Sequence, residues 1–162
     1  MAPRIAVVGS ANTDLITFSD VFPRPGETIF GQNFDLGFGG KGANQAIAAR
    51  LCGAEVVMVA RVGNDLFGEA TIKNFASFGI DTTHVKIVPG VPTGVAPIFV
   101  DPSGQNRIIV VKGANDRLLP ADVDAAAPQL RSVDTDVAAA MARVESASYT
   151  AQHSGGHRVE AQ

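Results

Sequence analysis

Cysteine occurs once among the 162 residues, so no internal disulfide can staple the fold. That residue, Cys52, sits in an Ala-rich, helix-like stretch, which predicts a small buried thiol rather than a nucleophile. No apolar run approaches the roughly 20 residues of a membrane-crossing helix. Residues 1–4 lead straight into a strand-like segment with no leader pattern, so a cytoplasmic protein without a membrane partner is expected. Lys and Arg number 13 against 16 Asp and Glu, giving a formal charge of −3, and they form no cluster. That absence removes the electrostatic footprint of a nucleic-acid or anionic-lipid binder and leaves small molecules or protein as partners. Leu, Ile and Phe are missing after Leu130. Residues 135–162 therefore have little to bury, and beyond a short helix around residues 137–144 they read as a divergent, disordered tail. His153 and His157 in that tail have no Cys or acidic neighbour, which predicts solvated histidines rather than zinc ligands.

What is present is 46% hydrophobic residues, 18% charged residues and 17 glycines, a globular composition of one-domain length. Ile5-Ala-Val-Val-Gly9 reads as a buried strand feeding the polar segment Ser10-Ala-Asn-Thr-Asp14, which places Asn12 and Asp14 in a loop at the strand's C-terminal end. Good helix formers follow Gly39-Gly-Lys-Gly42 and Gly53 closes them, predicting a helix over residues 43–52. Residues 55–60 read as a second buried strand. Asn64-Asp65 then caps a helix that Gly79 stops, and residues 84–88 form a third strand. Strand alternating with helix predicts an α/β fold with a parallel sheet and crossover helices. Residues 27–38 and 93–111 break the alternation. They are strand-like, and Asp101-Pro-Ser-Gly-Gln-Asn106 between apolar flanks signals a hairpin. A small separate sheet, a lid, is expected there, with Ile98 and Val100 on one face and Val95 and Phe99 on the other. One apolar face then needs cover from another chain or from the main domain.

The literal spacing Gly37-Phe-Gly39-Gly-Lys-Gly42 satisfies the dinucleotide pattern, but it follows an extended segment rather than the first strand-to-helix turn, which argues against NAD or FAD. Lys41 is followed by Gly42 rather than Ser or Thr, so no P-loop is present. A site between the Asn12/Asp14 segment and the Gly39–Asn44 loop is expected, because ligands of α/β sheets collect at strand C-termini and helix N-termini. A polyol suits it. Ionised Asp14 accepts from neighbouring hydroxyls, Asn12 and Asn44 donate and accept, and glycines admit backbone amides close to a sugar. The competing reading makes Asp14 or Asn12 a turn cap and Asn44 a helix cap.

At these residues the chain resembles the N-terminal half of the PfkB family of sugar kinases, and within it the ribokinases. The match is carried by Gly39-Gly-Lys-Gly-Ala-Asn-Gln-Ala46, Gly53 and Gly63. Pro25-Gly-Glu-Thr28, Val62-Gly-Asn-Asp-Leu-Phe-Gly-Glu69, Thr93-Gly-Val95 and Gly113-Ala-Asn115 add to it. It implies a ribokinase-like three-layer sandwich with a parallel central sheet and a β-sheet lid, with strands at about residues 15–38 and 93–112, truncated after about half the fold. It further implies that residues 1–134 form the N-terminal part of the domain. Asn12, Thr13, Asp14, Gly40, Lys41, Gly42, Ala43 and Asn44 would hold D-ribose or a similar pentose. The implied reaction moves the γ-phosphoryl group of ATP to the sugar's 5-hydroxyl, with Mg²⁺ and a monovalent cation, and depends on positioning and charge neutralisation.

The family continues into a sugar-contacting Glu, an Asn-x-x-Glu motif near the metal and a Gly-Ala-Gly-Asp motif with the catalytic base. These 162 residues contain none of them, and Glu145 is displaced and lacks a strand before it. Pro128 predicts a break in the helix that precedes residue 130. The expected chain is therefore a truncated sugar kinase without its ATP site or catalytic base, inactive alone. The alternative is a non-catalytic ribose-binding or lid-mediated dimerisation module, a homodimer or a partner of a full-length subunit.

Overall fold

The computed structural model of the chain describes residues 2–130. The expected helix at 137–144, Glu145, His153 and His157 lie outside the described residues. In chain order the elements are β1 (Arg4–Val8), β2 (Asn12–Phe18), β3 (Asn33–Gly39), α1 (Lys41–Leu51), β4 (Glu55–Gly63), α2 (Leu66–Ser77), β5 (Asp81–Val88), β6 (Gly94–Val100) and β7 (Asn106–Ile108). A 3₁₀ turn (Gly113–Arg117) and α3 (Pro120–Leu130) follow.

The Val- and Ala-rich runs pair as a three-stranded parallel sheet in the order β1-β4-β5. Strand alternation divides β4 between two layers. Val56, Met58, Ala60 and Val62 join Ala43 and Ala46 of α1 and Phe75 of α2 in one core cluster. On the opposite face Arg61 forms a two-pronged ion pair with Asp122 of α3, its Nε donating to Oδ2 at 3.0 Å. Helices therefore cover both faces, giving the expected three-layer α/β arrangement. Asp122 also accepts from the Leu119 amide at 2.9 Å, closing the start of α3. The Arg61 hydrogen bonds hold its carboxyl below the usual range, against the opposing effect of burial.

The segments outside the alternation form a second, four-stranded sheet, β3-β2-β6-β7, which is the expected lid. Its hairpin turns at Asp101, whose carboxylate accepts from the Ser103 and Gln105 amides at 2.9 and 3.1 Å. One boundary is corrected. Asn12 and Asp14 are not in a loop after β1 but in the first half of β2, since each pairs along the lid, Asn12 with Gly39 and Gly94, Asp14 with Gly37 and Ala96.

Two further expectations fail. Cys52 is exposed, because it follows the last turn of α1 as its C-cap, beyond the buried stripe of Gly42, Ala43 and Ala46. Pro128 does not break α3, which runs through it to Leu130. The proline, two residues before the last described residue, removes the hydrogen bond to the carbonyl of Asp124, and Asp124 and Pro128 are both exposed. Among the described residues no helix is long and apolar enough to cross a membrane.

The body is joined to the lid by a polar staple. Asp65 caps α2, accepting from the Gly68 amide at 2.8 Å, and also takes both the amide and the hydroxyl of Thr93, at 2.8 and 2.6 Å. The Thr93 hydroxyl oxygen in turn accepts from the Gly63 amide at 2.9 Å. Burial pushes the Asp65 carboxyl upward, but the hydrogen bonds from Thr93 and Gly68 outweigh it and hold the group below its ordinary value. Because the folded value lies below the unfolded one, this contribution is complete above about pH 4 and is lost as pH falls through the folded value. Thermal melts from about pH 5 down to about pH 2 should show a shallower acid loss in Asp65→Asn than in the parent chain. Equal slopes would deny the staple its charge. Phe75, fully buried beneath β4, should cost about 3–5 kcal/mol in urea unfolding when replaced by Ala.

Candidate functional site

Four chain crossings link lid and body, and backbone presses on backbone at the β1–β2 and β3–α1 corners, as it also does where a Cβ on Gly113 would run into the Pro92 carbonyl oxygen. Gly40 is the N-cap of α1 with φ 95°, and a Cβ there would lie 2.7 Å from the Ser10 carbonyl oxygen and 2.9 Å from Ala11 Cα. A Cβ on Gly42 would lie 2.7 Å from the Gly9 carbonyl carbon. The Ala43 amide donates to the Ser10 carbonyl at 3.0 Å. The β3–α1 corner thus sits against the β1–β2 corner at a distance that only glycine permits. These glycines serve packing first, where the sequence suggested ligand access.

This contact sets the site. Asn12 and Asp14, two apart on β2, share one lid face with Gly37 and Gly39 of β3 and with Ala96 and Ile98 of β6. Asp14 leans over Gly39, where a Cβ would fall 2.5 Å from its Oδ1 and 2.7 Å from its Cγ. The carboxylate is thereby brought to the N-terminal end of α1, where first-turn amides and the helix dipole favour negative charge and polar ligands. Lys41 and Asn44, three apart on α1, lie on one flank and are exposed. Asn44 does not cap the helix, since Gly40 occupies that position without a side-chain bond. Thr13 and Ala43 are placed differently. The alternation of β2 turns Thr13 to the opposite face, where it is buried, and the Ala43 methyl lies in the core. Only their backbones are available to the site. Gly40, Lys41 and Gly42 border it through the start of the helix.

Asn115 was not among the expected site residues, yet it grips the β1–β2 corner. Its Oδ1 accepts from the Ala11 amide at 2.9 Å, and its Nδ2 donates to Asn12 Oδ1 at 2.8 Å. Its motif, Gly113-Ala-Asn115, is visible in the sequence, but its 103-residue separation from Asn12 hides the contact. Ala96 and Ile98 were legible only as strand residues. Ala96 pairs with Asp14 and Ile98 with Ile16, which puts both on the same face as Asn12 and Asp14.

Residues 2–152 match the family described as pfkB family carbohydrate kinase. The chain belongs to that family. It is 42% identical over 156 residues to a deoxyribokinase of Salmonella typhimurium, covering 96% of this chain and 51% of the relative. A Bacillus subtilis ribokinase is 44% identical over 130 residues, covering 80% and 44%. The structure of Arabidopsis thaliana ribokinase complexed with ribose and ATP superposes with a TM-score of 0.64 at 38% identity, covering 71% of this chain and 38% of that one. The chain spans about half the length of the curated relatives it matches. The family match runs past Asp134 into residues outside the described region.

Gly40→Ala and Gly53→Ala separate packing from backbone strain. Both glycines have left-handed φ, 95° and 91°, but a Cβ on Gly53 meets nothing within 4 Å. Each loses about 1–3 kcal/mol to strain, and Gly40→Ala should lose more, read as a lower Tm. Equal losses would contradict the corner contact.

Proposed function

We propose that this chain forms the sugar-holding part of a pentose kinase, one that transfers the γ-phosphoryl group of ATP to the 5-hydroxyl of D-ribose. The observation that carries the reading is the convergence of Asn12 and Asp14 with the Gly40–Asn44 helix start. Two facing hydroxyls of a furanose suit an ionised carboxylate, an amide lies one strand position pair away, and Lys41 and Asn44 flank the opening. Holding the sugar so that one hydroxyl stays in line with the donor supplies much of what phosphoryl transfer requires. Among the described residues no group of three or more His, Cys, Asp or Glu side chains converges. Among the described residues none is assigned to the implied Mg²⁺, to ATP, to a monovalent cation or to the catalytic base. In this reading residues 1–134 are the domain part and the transfer groups belong to polypeptide that these 162 residues do not include.

The similarity to a deoxyribokinase over 96% of the chain supports 2-deoxyribose as a second substrate. A pairing role is supported by the lid, where Phe34, Leu36 and Phe38 along β3 are 57%, 54% and 40% exposed. A second copy of the lid would cover them, as a homodimer or with a longer subunit.

Calorimetry with D-ribose tests the site. Asp14→Ala should weaken binding by about a hundredfold or more, as expected for two lost hydrogen bonds to a charged group, and should abolish ribose phosphorylation in a polypeptide extending through a Gly-Ala-Gly-Asp motif. Full activity in that variant would overturn the assignment. Sedimentation should show a concentration-dependent dimer that Leu36→Lys dissociates. A monomer at every concentration would remove the pairing role.

A further inference from the structure

Asn115 carries a consequence for the chemistry of Asn12. The Ala11 backbone N–H can only donate, and it faces Asn115 Oδ1 at 2.9 Å. That contact fixes the amide of Asn115, so its Nδ2 faces the other way, its two protons shared among the carbonyls of Ala11 at 3.1 Å and Lys112 at 2.9 Å and Asn12 Oδ1 at 2.8 Å. A reversed Asn115 would set its oxygen against two carbonyls and its NH₂ against an N–H, which no tautomer or rotation relieves. Asn12 must therefore turn its own oxygen toward Asn115. Gly94 closes over the pair, since a Cβ there would run into Asn115 Nδ2 and Asn12 Oδ1.

A free asparagine offers a ligand either a donor or an acceptor. One whose oxygen is taken up by Asn115 and closed over by Gly94 turns its N–H to a ligand. We infer that Asn115 is a positioning residue that fixes Asn12 as a donor, so that Asn12 and Asp14 read complementary functions of one ligand. Asn12 addresses an oxygen that accepts, and ionised Asp14 addresses hydroxyls that donate. Two adjacent hydroxyls, the first accepting from Asn12 and donating onward, meet that pattern; a ligand presenting an N–H to Asn12 does not. The inference rests on the sugar reading given above and specifies the polarity of its contacts.

The clamp is tested on the ligand-free chain, with no variant required. In side-chain amide NMR the NH₂ protons of Asn115 should exchange with water at least about tenfold more slowly than those of Asn12, as hydrogen-bonded donors do. The reverse order would overturn the inference. Calorimetry with D-ribose then reads the consequence. Asn12→Ala and Asn115→Ala should each weaken binding by about tenfold, and the double variant by no more than about tenfold, because both remove the same contact. Independent effects, multiplying to about a hundredfold, would overturn it, as would unaltered affinity in Asn115→Ala. A parent chain that binds no D-ribose would refute the sugar reading instead, and the amide exchange would still decide the clamp.

Discussion

The close contact between two chain corners, residues 9–12 and 39–42, is the constraint on which the structure turns. With Gly40 and Gly42 against the backbone of Gly9, Ser10 and Ala11, α1 begins directly beside the start of the lid. Side chains at these positions would push the helix N-terminus away from Asn12 and Asp14 by the width of a methyl group. That displacement would separate the carboxylate from the first-turn amides. The lid and the parallel sheet are different sheets with different partners, and this is where they are brought into register.

The motifs that mark the family then divide by physical task. Asp14, Asn12 and the helix start form the polar cluster that suits a ligand. Gly63, Gly68, Asp65 and Thr93 instead tie the N-terminus of α2 to the base of β6, with glycines where the backbones nearly touch. Asn115 ties the end of the lid to its beginning. Arg61 and Asp122 hold α3 on the far face of the sheet. A site assembled from short polar segments is rigid only if each segment is fixed elsewhere, and these bonds provide the fixing.

Much of this was legible in the sequence, because periodicity and turn residues are local signals. The strand–helix alternation, the Asp65 cap and the Asp101 hairpin are all where their residues predict them. Errors arose where tertiary context decides. Asn12 and Asp14 sit in polar surroundings that read as loop, but pairing with β3 and β6 makes them strand. Cys52 belongs to an Ala-rich stretch whose buried stripe ends before it, and Pro128 is tolerated because the carbonyl it strands is on an exposed residue. The packing role of the glycine cluster was not legible, and Asn115 was hidden by distance along the chain.

The central claim is that the corner contact assembles a sugar site from Asn12, Asp14 and the start of α1. Backbone amide NMR of the chain during titration with D-ribose tests it most directly. Shifts concentrated at Asn12, Asp14 and residues 40–44, with the α3 face of the sheet unmoved, are the predicted result. Saturable shifts confined to other residues would contradict the account.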